Sequence, residues 1–169
     1  LISALMAWEA GSLEQGDSAS YWLSTASSRG HTGVSHLRSS ARAPQVIDGL
    51  SKTYMIGEKF IAPSHYETSQ SIGDDDCLYS GYDLDNHRFV SSEIGVPPAA
   101  TVRYYPPFRD YDADEATSRL ESRYVGFGSA HPAAVHLAQC DGSVLAISYD
   151  IDVGVHRQRG NREDGDATP

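Results

Sequence analysis

The sequence predicts an α+β domain in which an antiparallel β-sheet is accompanied by short helices and long loops. Two apolar segments separated by Asp141-Gly142 indicate a β-hairpin in the C-terminal third of the chain. Asp152 and Gly160 have the spacing of the first and last caps of a short helix. Residues 61–100 show no regular period, which predicts a long irregular stretch.

The length of 169 residues predicts a single globular domain over 1–169 with a substantial core. Residues 1–40 are rich in serine, glycine and other small residues. This composition predicts a variable, loop-rich region. Residues 41–165 have more regular patterns and are interpreted as the C-terminal region of the same domain.

Several shorter elements are predicted along the C-terminal region. Residues 44–49 indicate a helical turn closed by glycine. Residues 53–60 contain β-branched and aromatic residues bounded by turn residues and indicate a strand. Residues 113–122 predict a short helix with Asp114 as its N-cap.

The hairpin around Asp141-Gly142 is predicted with a two-residue loop, because a type I′ turn favours this dipeptide. Its strands would span residues 135–140 and 143–149. Because both faces carry apolar groups, both are expected to be at least partly covered. The predicted cross-strand pairs on one face are Cys140–Ser143, Ala138–Leu145 and His136–Ile147, and those on the other are Gln139–Val144, Leu137–Ala146 and Val135–Ser148.

The charge of the chain excludes several classes of function. Acidic residues outnumber basic ones by 23 to 13, for a net charge of −10, so nucleic acid and anionic membrane surfaces are not expected partners.

No apolar run reaches the length of a membrane helix, so membrane attachment is expected only through a segment outside this sequence. The chain carries neither a nucleotide-binding glycine motif nor a Gly-x-Ser-x-Gly motif, and no enzyme activity is predicted.

An acidic segment is the strongest candidate for binding a metal ion. Five aspartates lie within twelve residues: Asp74, Asp75, Asp76, Asp83 and Asp85. Calcium prefers six to eight oxygen ligands from a flexible loop, so a calcium site is one interpretation, and a solvated acidic loop is the other. The spacing is not that of an EF-hand.

The histidines do not predict a metal centre, because no pair has the spacing of a zinc-binding helix. His131 and Asp141 would be separated by a strand of roughly 20–30 Å, so structural roles are predicted for both. His136 is predicted on a strand face as a core or interface histidine. Cys77 and Cys140 are compatible with either one disulfide or two thiols.

In combination, several motifs resemble one bacterial family. His131 is followed after nine residues by Asp141-Gly142; a second Asp-Gly pair is Asp48-Gly49; and Glu58 follows Gly57. With the acidic segment, these motifs resemble the DUF1559 family, the prepilin-type H-X9-DG proteins abundant in planctomycete-type bacteria. The resemblance covers roughly residues 33–165. Leu50 and Lys52 depart from the pattern around the second Asp-Gly pair.

The resemblance implies a pilin- or pseudopilin-like domain whose long N-terminal helix is missing or lies outside this fragment. It implies structural roles for the motif residues and raises the expectation of calcium. The implied protein is an exported structural subunit of a type II secretion or type IV pilus-like system. It would be anchored in the inner membrane and periplasmic, or extracellular on the cell surface, and would assemble into a filament with itself or with other pilin-like subunits.

The alternative function is a binding module at the cell surface. In this interpretation the loops of residues 61–110 bind a glycan, a small solute or a protein partner. The tyrosines of this region favour it, since tyrosine is common in interfaces.

Overall fold

The computed structural model describes residues 12–18, 20, 32–36, 39–77, 79, 83–94, 101–114, 117, 123–163 and 165. The chain divides into two compact units, Leu1–Thr32 and Gly33–Pro169. In the first unit the described element is helix α1, Leu13–Asp17. Ser12 caps it by accepting a hydrogen bond from the Gln15 backbone N–H at 3.2 Å.

Within its described residues, the second unit contains short strands, a helix near the C-terminus and several 3₁₀ turns. The strands are β1 Tyr54–Gly57, β2 Ser91–Ile94, β3 Thr101–Tyr104, β4 Phe108–Arg109, β5 Gly128–Ser129, β6 Ala134–Gln139 and β7 Val144–Ser148. The helix is α2, Val153–Arg159, and the 3₁₀ turns are Ala43–Gln45, Pro63–His65, Asp110–Asp112 and Arg123–Val125.

The strands form three small sheets among the described residues. The largest has the order β1-β6-β7 and is antiparallel throughout, β2 pairs antiparallel with β3, and β4 pairs parallel with β5. The architecture is therefore α+β, built mostly from small antiparallel sheets with few short helices. Strand β2 lies inside the stretch that the sequence predicted to be irregular.

The predicted hairpin exists, but its predicted register is wrong by one residue. Val135 pairs with Ile147 and Leu137 with Leu145, instead of with Ser148 and Ala146. The loop holds three residues rather than two: the Gly142 N–H donates to the Gln139 carbonyl at 3.0 Å, and the Gln139 N–H donates to the Ser143 carbonyl at 2.8 Å. Gly142 has φ +87° while Asp141 keeps a negative φ, so the loop is a turn followed by a glycine bulge and not type I′.

The corrected register separates an apolar face of the β1-β6-β7 sheet from an exposed one. Tyr54, Val135, Leu137 and Ile147 are buried on one face, where Phe127 joins them to form the core. Such alternation is expected of a sheet with one covered face. The second face, predicted to be covered in part, is largely exposed.

The exposed face, here called the outer face, consists of Ile56, His136, Ala138, Val144 and Ala146. Ile56, Ala138 and Val144 are aligned across the three strands. Ile56 is 64% exposed and Val144 is 61% exposed, so this row presents apolar surface to solvent. His136 and Ala146 form the next cross-strand pair on this face.

Helix α2 closes the core and confirms the helix predicted after the hairpin. The Asp152 carboxylate accepts hydrogen bonds from the Gly154 and Val155 N–H groups at 2.9 and 3.0 Å, and Gly160 is the C-cap. The helix directs His156 into the core, where its ring lies 5.3 Å from that of Tyr54 and 6.2 Å from that of Phe127.

The remaining predicted elements are confirmed only in part. The helical turn occurs as the 3₁₀ turn Ala43–Gln45, and the predicted strand 53–60 is ordered as β1 over Tyr54–Gly57. Asp114 accepts a hydrogen bond from the Thr117 N–H at 2.8 Å, as an N-cap does, but most of residues 115–122 lie outside the described residues. Within the described part of the chain, no helix combines the length and the apolar character needed to cross a bilayer.

Candidate functional site

The two Asp-Gly motifs form neighbouring turns at one end of the β1-β6-β7 sheet. Gly49 has φ +100° and Gly142 has φ +87°, a backbone conformation that glycine adopts without strain. The Asp141 N–H donates to the Leu50 carbonyl at 3.1 Å, which joins the turns. Asp48 is buried and accepts a hydrogen bond from the Gly165 N–H at 2.8 Å. Both motifs therefore serve the local geometry of the sheet.

Asp141 completes its turn with its side chain. Its carboxylate accepts hydrogen bonds from the Ser143 N–H at 2.9 Å and the Ser143 hydroxyl at 2.7 Å. The Ser143 hydroxyl and N–H lower the pKa of Asp141. His131 and Asp141 precede and follow β6, so they lie at opposite ends of this strand.

His131 instead belongs to a cluster with Glu58 and His136. The Glu58 Oε1 lies 3.1 Å from His131 Nε2, and the Glu58 Oε2 lies 3.2 Å from His136 Nδ1. The two imidazole rings are perpendicular, with centroids 4.8 Å apart. The sequence motifs included Glu58 and His131 but not His136. The predicted register paired His136 with Ile147, whereas in the structure it pairs with Ala146.

The backbone holds Glu58 firmly at the end of β1. Its N–H donates to the His136 carbonyl at 3.3 Å, and its Oε2 accepts the His136 backbone N–H at 2.7 Å. Burial raises the pKa of Glu58, but hydrogen bonds from His136 and Ser129 and the charge of His131 more than offset it. The pKa is therefore lowered overall, and the carboxylate is ionised at neutral pH.

The acidic segment is brought together only in part. One carboxylate oxygen from each of Asp76, Asp83 and Asp85 lies within 4.8 Å of the others. Asp74 is instead paired with the Lys59 ammonium. Asp75 is exposed.

Asp85 is the buried member of this acidic group. It is 6% exposed, and its Oδ1 accepts the Asp76 N–H at 3.0 Å while its Oδ2 has no hydrogen-bond partner. Burial raises the pKa of Asp85; the Asp76 N–H lowers it, and Asp83 and Asp75 raise it again. The net effect is a raised pKa, with burial as its largest cause.

Cys77 and Cys140 are two separate thiols in the structure, not a disulfide. Cys77 is exposed, whereas Cys140 is half-buried with its Sγ 3.9 Å from the Tyr54 carbonyl. Burial, followed by the charge of Asp141, raises the pKa of the Cys140 thiol, which disfavours the reactive thiolate.

Comparison with known proteins assigns the chain to a family. The family model SBP_bac_10, described as "Protein of unknown function (DUF1559)", matches residues 5–154. No curated protein and no solved structure matches the chain significantly. The matched segment contains both Asp-Gly turns, the Glu58–His131–His136 cluster and the acidic segment. Because the match spans most of the sequence, the chain belongs to the DUF1559 family.

Proposed function

We propose that the protein is a non-enzymatic, exported structural subunit of a pilin- or pseudopilin-like assembly. The DUF1559 match and the resemblance to prepilin-type proteins support this function. The observation that carries it is the outer face, where the exposed Ile56 and Val144 form an apolar row with the half-buried Ala138 between them. Exposed apolar surface of this kind is typical of protein contacts.

In this proposal the outer face packs against a neighbouring copy or another pilin-like subunit. Ile56 and Val144 supply the apolar centre of the contact, because both side chains are more than half exposed and lie in one cross-strand row on either side of Ala138. The net charge of −10 is compatible with an exported protein that remains soluble before assembly.

The assembly contact predicts a selective effect of substituting Ile56. In the full-length gene product, Ile56→Asp should reduce the fraction that sediments as assemblies by at least about tenfold, since a charge would be buried at the contact. Ile47→Asp is the matched control: Ile47 is 65% exposed, close to the 64% of Ile56, but lies outside the sheet. The fraction of each variant that sediments is measured, and circular dichroism verifies that both variants fold. Equal assembly of the two variants would refute the contact.

The proposal includes a calcium ion at Asp76, Asp83 and Asp85. The convergence of three carboxylates supports it, as does the buried, unpartnered Oδ2 of Asp85. Calcium would neutralise this crowded negative charge with oxygen ligands that it prefers.

Added calcium should therefore raise the melting temperature, and a chelator should reverse the increase, because the ion binds only the folded chain. Asp83→Asn should abolish the shift. Asp112→Asn should preserve it, since Asp112 pairs with Arg109 outside the acidic group. A melting temperature that is unchanged at millimolar calcium, measured by differential scanning calorimetry, would rule out the ion.

A second candidate function is a surface binding module, favoured by exposed tyrosines. Tyr79 is 91% exposed, Tyr111 71%, Tyr66 44% and Tyr104 42%. Tyr66 and Tyr79 lie in the loops of residues 61–110, Tyr104 ends strand β3 within that region, and Tyr111 directly follows it. Such rings would stack on a glycan or contact a protein partner.

A further inference from the structure

The strongest unassigned feature outside the acidic segment is the Glu58–His131–His136 cluster. Its members come from three separate parts of the chain: the residue after β1, the loop before β6, and β6 itself. One ligand atom from each lies within 4.8 Å of the others. The cluster combines two imidazoles with one carboxylate, a donor set that first-row transition metals favour over calcium or magnesium.

The cluster is supported by neighbours that fix its geometry. The His131 N–H donates to the Ser129 Oγ at 3.2 Å, and the His131 carbonyl accepts the Tyr149 hydroxyl at 2.8 Å. Glu58 is bound to the backbone of His136 at both its N–H and its carboxylate. These bonds fix the backbone that carries the ligands and orient the Glu58 carboxylate, which reduces the conformational entropy lost when a metal binds.

Two of the distances in the cluster are close to those between ligands of one small ion. Zinc lies about 2.0–2.1 Å from nitrogen and oxygen ligands, so two ligands in a tetrahedral site are about 3.3 Å apart. The Glu58 Oε1 lies 3.1 Å from His131 Nε2, and the other carboxylate oxygen, Oε2, lies 3.2 Å from His136 Nδ1. One ligand atom from each side chain lies within 4.8 Å of the other two, so a contraction to about 3.3 Å would bring all three to a common ion.

An ion pair alone explains the cluster less well. The side chains of His131, His136 and Glu58 are 55%, 45% and 35% exposed, and exposed ion pairs contribute little to stability.

We propose that Glu58, His131 and His136 form a binding site for a divalent transition-metal ion of the zinc type. Three protein ligands leave one coordination position of a tetrahedral ion open to water. The site borders the outer face through His136, and it is independent of whether that face mediates assembly.

Zinc titration of the chelator-treated full chain, followed by calorimetry, tests the proposal. We expect one zinc ion per chain at this site, and cobalt should give the visible absorption of a tetrahedral complex. His131→Gln and Glu58→Gln should each weaken zinc binding by at least about tenfold, since loss of even an outer-sphere partner costs that much.

Two control variants separate this site from other metal-binding groups. His65→Gln removes a histidine of the 3₁₀ turn that is hydrogen-bonded to Thr68, and Asp83→Asn alters the acidic group. Both should bind zinc as the unmodified chain does. Absence of zinc binding at micromolar concentration, or binding that His131→Gln leaves unchanged, would overturn the proposal. Because His131 lies in an exposed loop, this variant keeps the test valid if Glu58→Gln fails to fold.

Discussion

Replacing Leu137 by alanine is expected to lower the free energy of unfolding by about 2–5 kcal/mol. Leu137 is 0% exposed at the centre of the core, and a Cβ built on Gly57 would lie 2.0 Å from its Cδ2, so this part of the core is tightly packed. The loss combines the missing apolar burial with the cavity left behind. Urea denaturation followed by circular dichroism measures the change.

Leu145 provides the matched control for this substitution. It is the direct cross-strand partner of Leu137 but is 37% exposed. Leu145→Ala removes the same atoms from a less buried position and should therefore cost clearly less. If the two variants lose equal stability, Leu137 is not the more deeply buried of the two leucines, and the description of the core is wrong.

Acidification is expected to destabilise the protein through His156. This histidine is 0% exposed, and burial lowers its pKa to about 4 from the ordinary value of 6.5. The folded state therefore holds it neutral at pH values where the unfolded state already binds a proton. The neutral imidazole costs no stability above about pH 6.5. As the pH falls below this value the free energy of unfolding decreases, and the decrease reaches about 3 kcal/mol below pH 4.

The His156 effect is isolated by comparing pH profiles of two proteins. His156→Phe keeps an aromatic ring against Tyr54 and Phe127 but cannot be protonated. The difference in unfolding free energy between the two proteins should therefore change steeply between pH 6.5 and 4, and little above that range. A flat difference across this range would contradict the predicted burial of a neutral imidazole. Nuclear magnetic resonance titration of His156 in the folded protein gives a direct second measurement.

Local patterns predicted the elements whose structure depends on neighbouring residues. The α2 helix follows from Asp152 as N-cap and Gly160 as C-cap, which are contacts within one or two turns. The hairpin was located correctly by its Asp-Gly pair for the same reason.

The register of that hairpin could not be obtained from the dipeptide alone. Asp-Gly also occurs in three-residue loops with a glycine bulge, and the apolar groups on both strands did not distinguish the registers. The choice depends on the chain around β1, because the carbonyl of Thr53, the residue just before β1, accepts the Cys140 N–H at 2.9 Å. This contact joins residues distant in the sequence.

Long-range packing also determines features that no local pattern indicates. A Cβ on Gly128 would lie 2.6 Å from the Phe60 Cβ and 2.8 Å from the Phe108 carbonyl oxygen, so glycine is required by a close approach of three segments. The Glu58–His131–His136 cluster has the same origin. Its only local signal was the presence of Glu58 and His131 within family-like motifs, while His136 had none.

Electron microscopy of the full-length protein purified from its native source tests the proposed structural role most directly. The account predicts ordered filaments or tubes in which the outer face of the β1-β6-β7 sheet is covered by a neighbouring subunit. Dispersed single particles under the same conditions would contradict it and would favour the binding module of the 61–110 loops.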